Sequence, residues 1–171
     1  EHPDRYDWVR FESDDMGALD DVVARSRDGG LVCRQMKHTA EPGRDDLAVS
    51  WEWLLKQPQK TESRRSSLLQ KWAEAMGREL DGQPVVEAGL YTNRRPDQAF
   101  RAALVGSHID FDRIADETVK QQIIDQLGGE ERARDFFGRF EFHLDLQSYD
   151  ALDETLKQRF LRRIDGDEIG R

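Results

Sequence analysis

The sequence predicts a mixed α/β fold, in which a mixed central sheet is flanked by helices and followed by a mostly helical C-terminal extension. Three observations predict it. Segments that alternate apolar and polar side chains, or run apolar throughout, recur at 6–12, 21–26, 31–37, 85–91 and 140–146. Longer segments repeat apolar residues at helical spacing, at 46–57, 61–80, 112–127 and 149–164. Hydrophobic residues make up 37% and charged residues 36%, and four Trp and eight Phe supply the bulk of a core that a disordered chain lacks. The 171 residues are enough for one core, placed at 1–106, and an extension at 107–171 that carries one strand.

The elements follow in order. Tyr6, Trp8 and Phe11 alternate along the first strand, which ends at Glu12. Small and acidic residues at 13–17 mark a turn. Val22, Val23 and Ala24 centre the second strand, and Asp28-Gly29-Gly30 turns the chain into the third at 31–37. A loop at 38–44 contains Pro42-Gly43. Asp45 or Asp46 caps a helix carrying Leu47, Trp51, Leu54 and Leu55, and Pro58 stops it. A second helix begins near Thr61 or Ser63 and runs to about Leu80 on a stripe of Leu68, Leu69, Trp72 and Met76. The apolar run at 85–91 reads as a central strand and closes in the polar loop Thr92-Asn93-Arg94-Arg95-Pro96. Pro96 suits the first turn of a helix at 97–105. Helices at 112–127 and 130–140, a strand at 140–146 and an amphipathic helix at 149–164 complete the chain.

Composition also limits function. The formal net charge of −9 counts against a general nucleic-acid coat, because phosphate binding relies on Lys and Arg. Between Lys56 and Arg78, however, six basic residues stand against two acidic ones, as expected of an enzyme that meets a polyanion with one face. No apolar run approaches the roughly 20 residues of a membrane span, so no membrane partner is expected. The single cysteine, Cys33, sits mid-strand as core filler, which fits a reducing, cytoplasmic setting.

The residues that could carry chemistry lie at the ends of the hairpin. Asp21 opens one strand, and Gln35 and Lys37 share a face at the end of the other. Pairing about Asp28-Gly29-Gly30 brings them to one sheet edge, with Glu12 at the end of the preceding strand. Hard divalent cations take oxygen donors. Asp21 offers a carboxylate, Gln35 an amide oxygen, Met36 a backbone carbonyl, and Glu12 a second carboxylate, directly or through water. Lys37 is a point charge able to hold an attacking water or to neutralise a phosphorane-like transition state. Together these parts describe metal-assisted hydrolysis of a phosphodiester.

Glu12, Asp20-Asp21-Val22, Gln35-Met36-Lys37-His38, Trp51, Trp53 and Leu90-Tyr91-Thr92-Asn93-Arg94 follow one another in an order that resembles the PD-(D/E)XK, or restriction-endonuclease-like, nuclease superfamily. The likeness is nearest to nuclease domains at the N-terminus of bacterial anti-phage effectors, and it covers about residues 6–105. It implies a restriction-endonuclease-like sheet and a Mg²⁺-dependent endonuclease acting on double-stranded DNA, with Mn²⁺ as a possible substitute. It implies products with 5′-phosphate and 3′-hydroxyl ends. It also implies work as a homo-oligomer or beside a fused NTPase or sensor module. Asp21, Gln35, Lys37 and Glu12 are then the catalytic set. Two departures from the family pattern stand out: Asp20 occupies the place of the motif proline, and neutral Gln35 that of the commoner glutamate. The second keeps an alternative open, a catalytically degenerate module of the same fold that binds DNA or a partner protein.

Arg64, Arg65, Asn93 and Arg94 are the candidate DNA contacts, against a plain reading of Arg64 and Arg65 as a solvated helix face. Asp20 is expected to face away from the site, and His38 to be a loop residue. Trp51, Trp53 and Trp72 are expected in the core rather than as base-stacking platforms, and His108 and His143 receive no role.

Overall fold

Strand alternation and a glycine turn generate the centre of the molecule. A computed structural model describes residues 5–57 and 66–147. Within it β1 (Tyr6–Phe11), β2 (Val22–Ser26) and β3 (Leu31–Lys37) form an antiparallel meander. Gly29 and Gly30 turn β2 into β3 with φ of 98° and 78°. Close packing also favours glycine at position 30, because a Cβ there would collide with the Val86 side chain.

β5 (Gln83–Thr92) runs parallel to β3 and makes the sheet mixed. On its far side β5 pairs with β4 (Glu79–Leu80), antiparallel, and with β8 (Phe140–His143), parallel. The six-stranded sheet thus has the order β1-β2-β3-β5-β4, with β8 also on β5. A separate two-stranded ribbon joins β6 (Leu104–Val105) to β7 (His108–Ile109).

The core gathers on one face of the sheet. Cys33, Ala88, Leu90, Phe140 and Phe142 meet side chains from α1 (Trp51–Leu55), α2 (Leu68–Met76), α3 (Gln98–Ala103), α4 (Glu117–Leu127) and α5 (Glu130–Arg139). Aromatic rings carry much of this packing: Trp72 and Phe136 each stack on Phe140 at 5.0 Å, and Trp51 meets Phe100 at 4.6 Å. Trp51 and Trp72 are buried as the helical spacing predicts, whereas Trp53 is half-buried. The opposite face bears Phe11, 73% exposed, and Met36, 49% exposed, around a polar group in which Arg34 donates to the hydroxyls of Tyr91 and Tyr6. The segment expected as an extension shares this core through Phe136, Phe137, Phe140 and Phe142, and supplies β8 to the sheet.

Several boundaries differ from the sequence reading. The link at 13–17 is not an open turn: Asp14–Leu19 forms 3₁₀ structure, because Met16 and Leu19 are drawn fully into the core. The helix expected from residue 46 starts only at Trp51, capped by Ser50, whose hydroxyl accepts from Trp53 N. Val49 is withdrawn from it by backbone bonds to Arg95 and Asp97, which fasten the segment beside the end of β5. α2 opens on a capping box of Ser67 and Gln70 and ends at Gly77. Residues 79–80, expected as helix, instead pair with β5 across Asp81-Gly82, both at positive φ. α4 begins at Glu117 on an Asp116 cap rather than near 112, and β8 stops at His143 rather than Leu146. The expected start of the second helix and the whole helix at 149–164 lie outside the described residues. Among the described residues, no helix is long and apolar enough to cross a membrane.

Cys33 is fully buried between Val32 and Arg34, and burial pushes its thiol up to about 12. Alkylation needs the thiolate. Native protein at pH 8 is therefore expected to leave Cys33 unmodified by iodoacetamide, with full labelling once guanidinium unfolds the chain, as read by mass spectrometry.

Candidate functional site

The register of the sheet sets out the candidate site. Val22 pairs with Arg34, so Asp21, one residue before β2, falls opposite Gln35. Its carboxylate reaches across the strands: Asp21 Oδ2 accepts a hydrogen bond from Met36 N at 2.6 Å and another from Gln35 Nε2. Gln35 is 7% exposed and faces the core, behind Cys33 on the same side of β3. Met36 points the other way and joins the site through its backbone. Its expected part was to offer a carbonyl; the contact seen is made by its N–H.

Glu12 lies on the opposite side of Asp21. Phe11 pairs with Val22, and the chain stays paired one step further, with Glu12 N donating to Asp21 O at 3.2 Å and Ser13 N to Asp20 O at 2.8 Å. Glu12 adopts φ 53°, a left-handed conformation that non-glycine residues enter at some cost. Its side chain is exposed. Asp20 is half-buried and contributes its carbonyl to this link.

Lys37 ends β3 on the same face as Gln35 and pairs with Thr92 of β5. It is half-buried, and among the described residues its ammonium makes no ion pair or hydrogen bond. The row across the sheet therefore runs Glu12, Asp21, Gln35, Leu90, with Lys37 one pleat beyond. Asp21, Gln35 and Met36 touch directly, whereas Glu12 and Lys37 are neighbours by register. Among the described residues, no three Asp, Glu, His or Cys side chains are grouped to hold a metal. Cation binding at this edge would draw on Asp21 together with amide or backbone oxygens.

The end of β5 supplies the second half of the edge. Asn93 is 1% exposed, and its amide is used on Thr39: Oδ1 accepts from Thr39 N at 3.0 Å, and Nδ2 donates to Thr39 O at 2.7 Å. Asn93, one of the candidate DNA contacts, thus commits both polar atoms of its amide to a bond pair that extends the β3–β5 connection past the last strand residues. Arg94 is half-buried with its guanidinium 5.5 Å from the ring centre of Trp53. Arg95 pairs with Asp145 at 3.4 Å. Arg64 and Arg65 lie outside the described residues. His38 is exposed on the loop after β3.

One group escaped the sequence reading. His143 Nε2 lies 2.7 Å and His108 Nε2 3.9 Å from the carboxylate of Glu141, and the His143 ring stacks on Tyr91 at 4.2 Å. Glu141 pairs with Gly89, which places it with Arg34 on the face opposite Gln35. Glu141 and His143 share a strand face at i,i+2 spacing, as the alternation at 140–146 implies. The parallel register of β5 and β8 adds Tyr91 beside His143, and the bond from Phe142 N to Ser107 O brings in His108, neither of which spacing along the chain records.

The chain matches no model of a known protein family and no curated protein.

The Asn93 clamp carries a testable consequence. Asn93→Ala leaves both the N–H and the carbonyl of Thr39 without partners, a loss of about 1–3 kcal/mol of stability. Urea denaturation is expected to show that loss, and hydrogen exchange to show faster exchange at Thr39 N.

Proposed function

We propose that this chain is a Mg²⁺-dependent deoxyribonuclease domain that hydrolyses phosphodiester bonds of double-stranded DNA. The observation that supports this reading best is the contact of Asp21 with Gln35 and Met36, made one pleat from an unpaired, half-buried Lys37. An oxygen-rich group beside a cation at a sheet edge suits a phosphate and a hard metal ion. The ordered resemblance to PD-(D/E)XK nucleases, carried in part by these same residues, agrees with it.

The donor set is compatible with Mg²⁺ or Mn²⁺. Asp21 engages Met36 and Gln35 through Oδ2, and the described hydrogen bonds leave Oδ1 available. Gln35 donates through Nε2, and among the described residues no hydrogen bond uses its amide oxygen. Asp21 and Gln35 would hold the ion, with Glu12 as the second carboxylate and the Met36 carbonyl as a further donor. When bound, the ion supplies Lewis acidity that eases loss of a proton from the attacking water and offsets phosphate charge. Lys37 orients that water or stabilises the charge that builds on the phosphate oxygens. The Met36 N–H and the Gln35 amide keep the Asp21 carboxylate in place for this task. On this reading the chain is the effector part of an anti-phage defence protein, working in the cytoplasm as a homo-oligomer or beside an NTPase or sensor module.

One observation favours a second reading. Gln35 is uncharged and points its N–H at Asp21, so the site carries less negative charge than one built with glutamate. A degenerate module that binds DNA or a partner protein without cutting would have such a site.

The test is cleavage of linear duplex DNA by the oligomeric protein with Mg²⁺ or Mn²⁺. Lys37→Ala and Asp21→Asn are each expected to reduce the rate by about 10²-fold or more, on the scale of losing a group that stabilises the transition state, while circular dichroism stays unchanged. Undiminished cleavage by folded Lys37→Ala would remove the nuclease reading. DNA binding without any cleavage by the wild type would establish the second.

A further inference from the structure

In an acid-rich chain, a half-buried cation ordinarily has a carboxylate at hand. Arg25, Arg34, Arg78, Lys120 and Arg139 are half-buried, and each has one within 4.0 Å. Lys37 and Arg94 are the two half-buried cations that have none among the described residues. They are also neighbours in the fold. Lys37 ends β3 in register with Thr92, and Arg94 follows Thr92 by two residues at the end of β5. β3 and β5 run parallel, so both cations stand at the carboxyl end of the parallel strands, the edge at which open α/β sheets bind ligands.

Arg94 is held firmly. Its N–H donates to Thr92 Oγ1 at 3.2 Å, and its carbonyl accepts from Asp145 N at 3.0 Å. Its guanidinium lies over Trp53, which is itself braced edge-on by Trp72 at 6.0 Å. Its Nε is buried and has no hydrogen-bond partner among the described residues. A buried N–H of a charged group without an acceptor is costly, and an incoming anion relieves that cost. A guanidinium presents N–H groups in a planar fork that fits phosphate oxygens two at a time.

We propose that Arg94, laid on Trp53, forms an anion subsite that takes a second backbone phosphate of a nucleic-acid strand, next to the phosphate beside Lys37. The proposal rests on the nuclease reading for the identity of the ligand, but the pair of unpaired cations stands without it. Arg94 acts in binding and register, not in bond cleavage.

Two measurements test it. Binding of a duplex with phosphorothioate linkages, without divalent metal, is followed at several salt concentrations for wild type, Arg94→Gln and Arg94→Lys. Arg94→Gln is expected to weaken binding about 10-fold and to lower the slope of log affinity against log salt by about 0.9, the value for one phosphate contact. Arg94→Lys is expected to keep the slope while losing part of the affinity. Inorganic phosphate is also titrated into wild-type protein while the Arg94 Nε–Hε resonance is followed by NMR, a readout that needs no variant to fold. A saturable shift of that resonance supports the subsite. No shift with phosphate, or an unchanged affinity and salt slope in folded Arg94→Gln, overturns it. A reduced slope in a protein that never cuts DNA keeps the subsite and removes the nuclease reading. Cutting with an unchanged slope removes the subsite and keeps the nuclease.

Discussion

The parallel pairing of β3 with β5 fixes which side chains face the aromatic core and which face away. It extends from Leu31↔Val85 to Lys37↔Thr92 and joins the N-terminal meander to the strand that carries the aromatic core. A slip of one residue would turn Gln35 and Lys37 out of the core face and bring Met36 in. Register therefore governs more than packing: it determines which side chains reach the candidate edge. Asn93 extends the same pairing beyond the strands by holding Thr39 from both sides. The loop that follows Lys37 is thereby tied to the loop that carries Arg94.

Charge is arranged around this edge with some selectivity. Most arginines of the described chain are matched with carboxylates, and several of these pairs are well exposed, such as Arg44 with Asp46 and Arg134 with Asp112. Exposed pairs of this kind contribute little to stability. Their effect is to leave few uncompensated positive groups on a chain whose formal net charge is −9. Lys37 and Arg94 are exceptions in a partly desolvated place, where an unmatched cation is more costly and an anionic ligand is held more strongly. The Asp21 carboxylate pairs with neither among the described residues and is held instead by an N–H of the backbone and an N–H of Gln35.

Much of the sheet was legible in the sequence. The alternation in β1 to β3 and the Asp28-Gly29-Gly30 turn define a hairpin whose register follows from its length, so the approach of Asp21 to Gln35 could be read before any coordinates. The apolar run of β5 marked a buried central strand for the same kind of reason. Helix starts were less legible, because tertiary bonds compete with local periodicity: Val49 follows Arg95 and Asp97 rather than its neighbours in sequence. Met16 sits within the stretch at 13–17 whose acidic residues read as a simple turn, and Leu19 just beyond it, yet both are buried. At the site, residue types predicted chemistry but not burial. Asn93 and Arg94 looked alike as polar loop residues, yet one is enclosed as a clamp and the other lies on Trp53 with an N–H unmet. That difference arises from which neighbours the fold supplies, and adjacent positions in a sequence do not record it.

The proposed chemistry depends on a cation at the junction of β1, β2 and β3. A crystal of the protein soaked in Mn²⁺, with anomalous diffraction collected at the manganese edge, tests this directly. One strong peak is expected, bound by the Asp21 carboxylate and the Gln35 amide oxygen, on the Lys37 side of the sheet. An Asp21 carboxylate still bonded to Gln35 and Met36, with no peak beside it at saturating Mn²⁺, would rule out a cation at this junction.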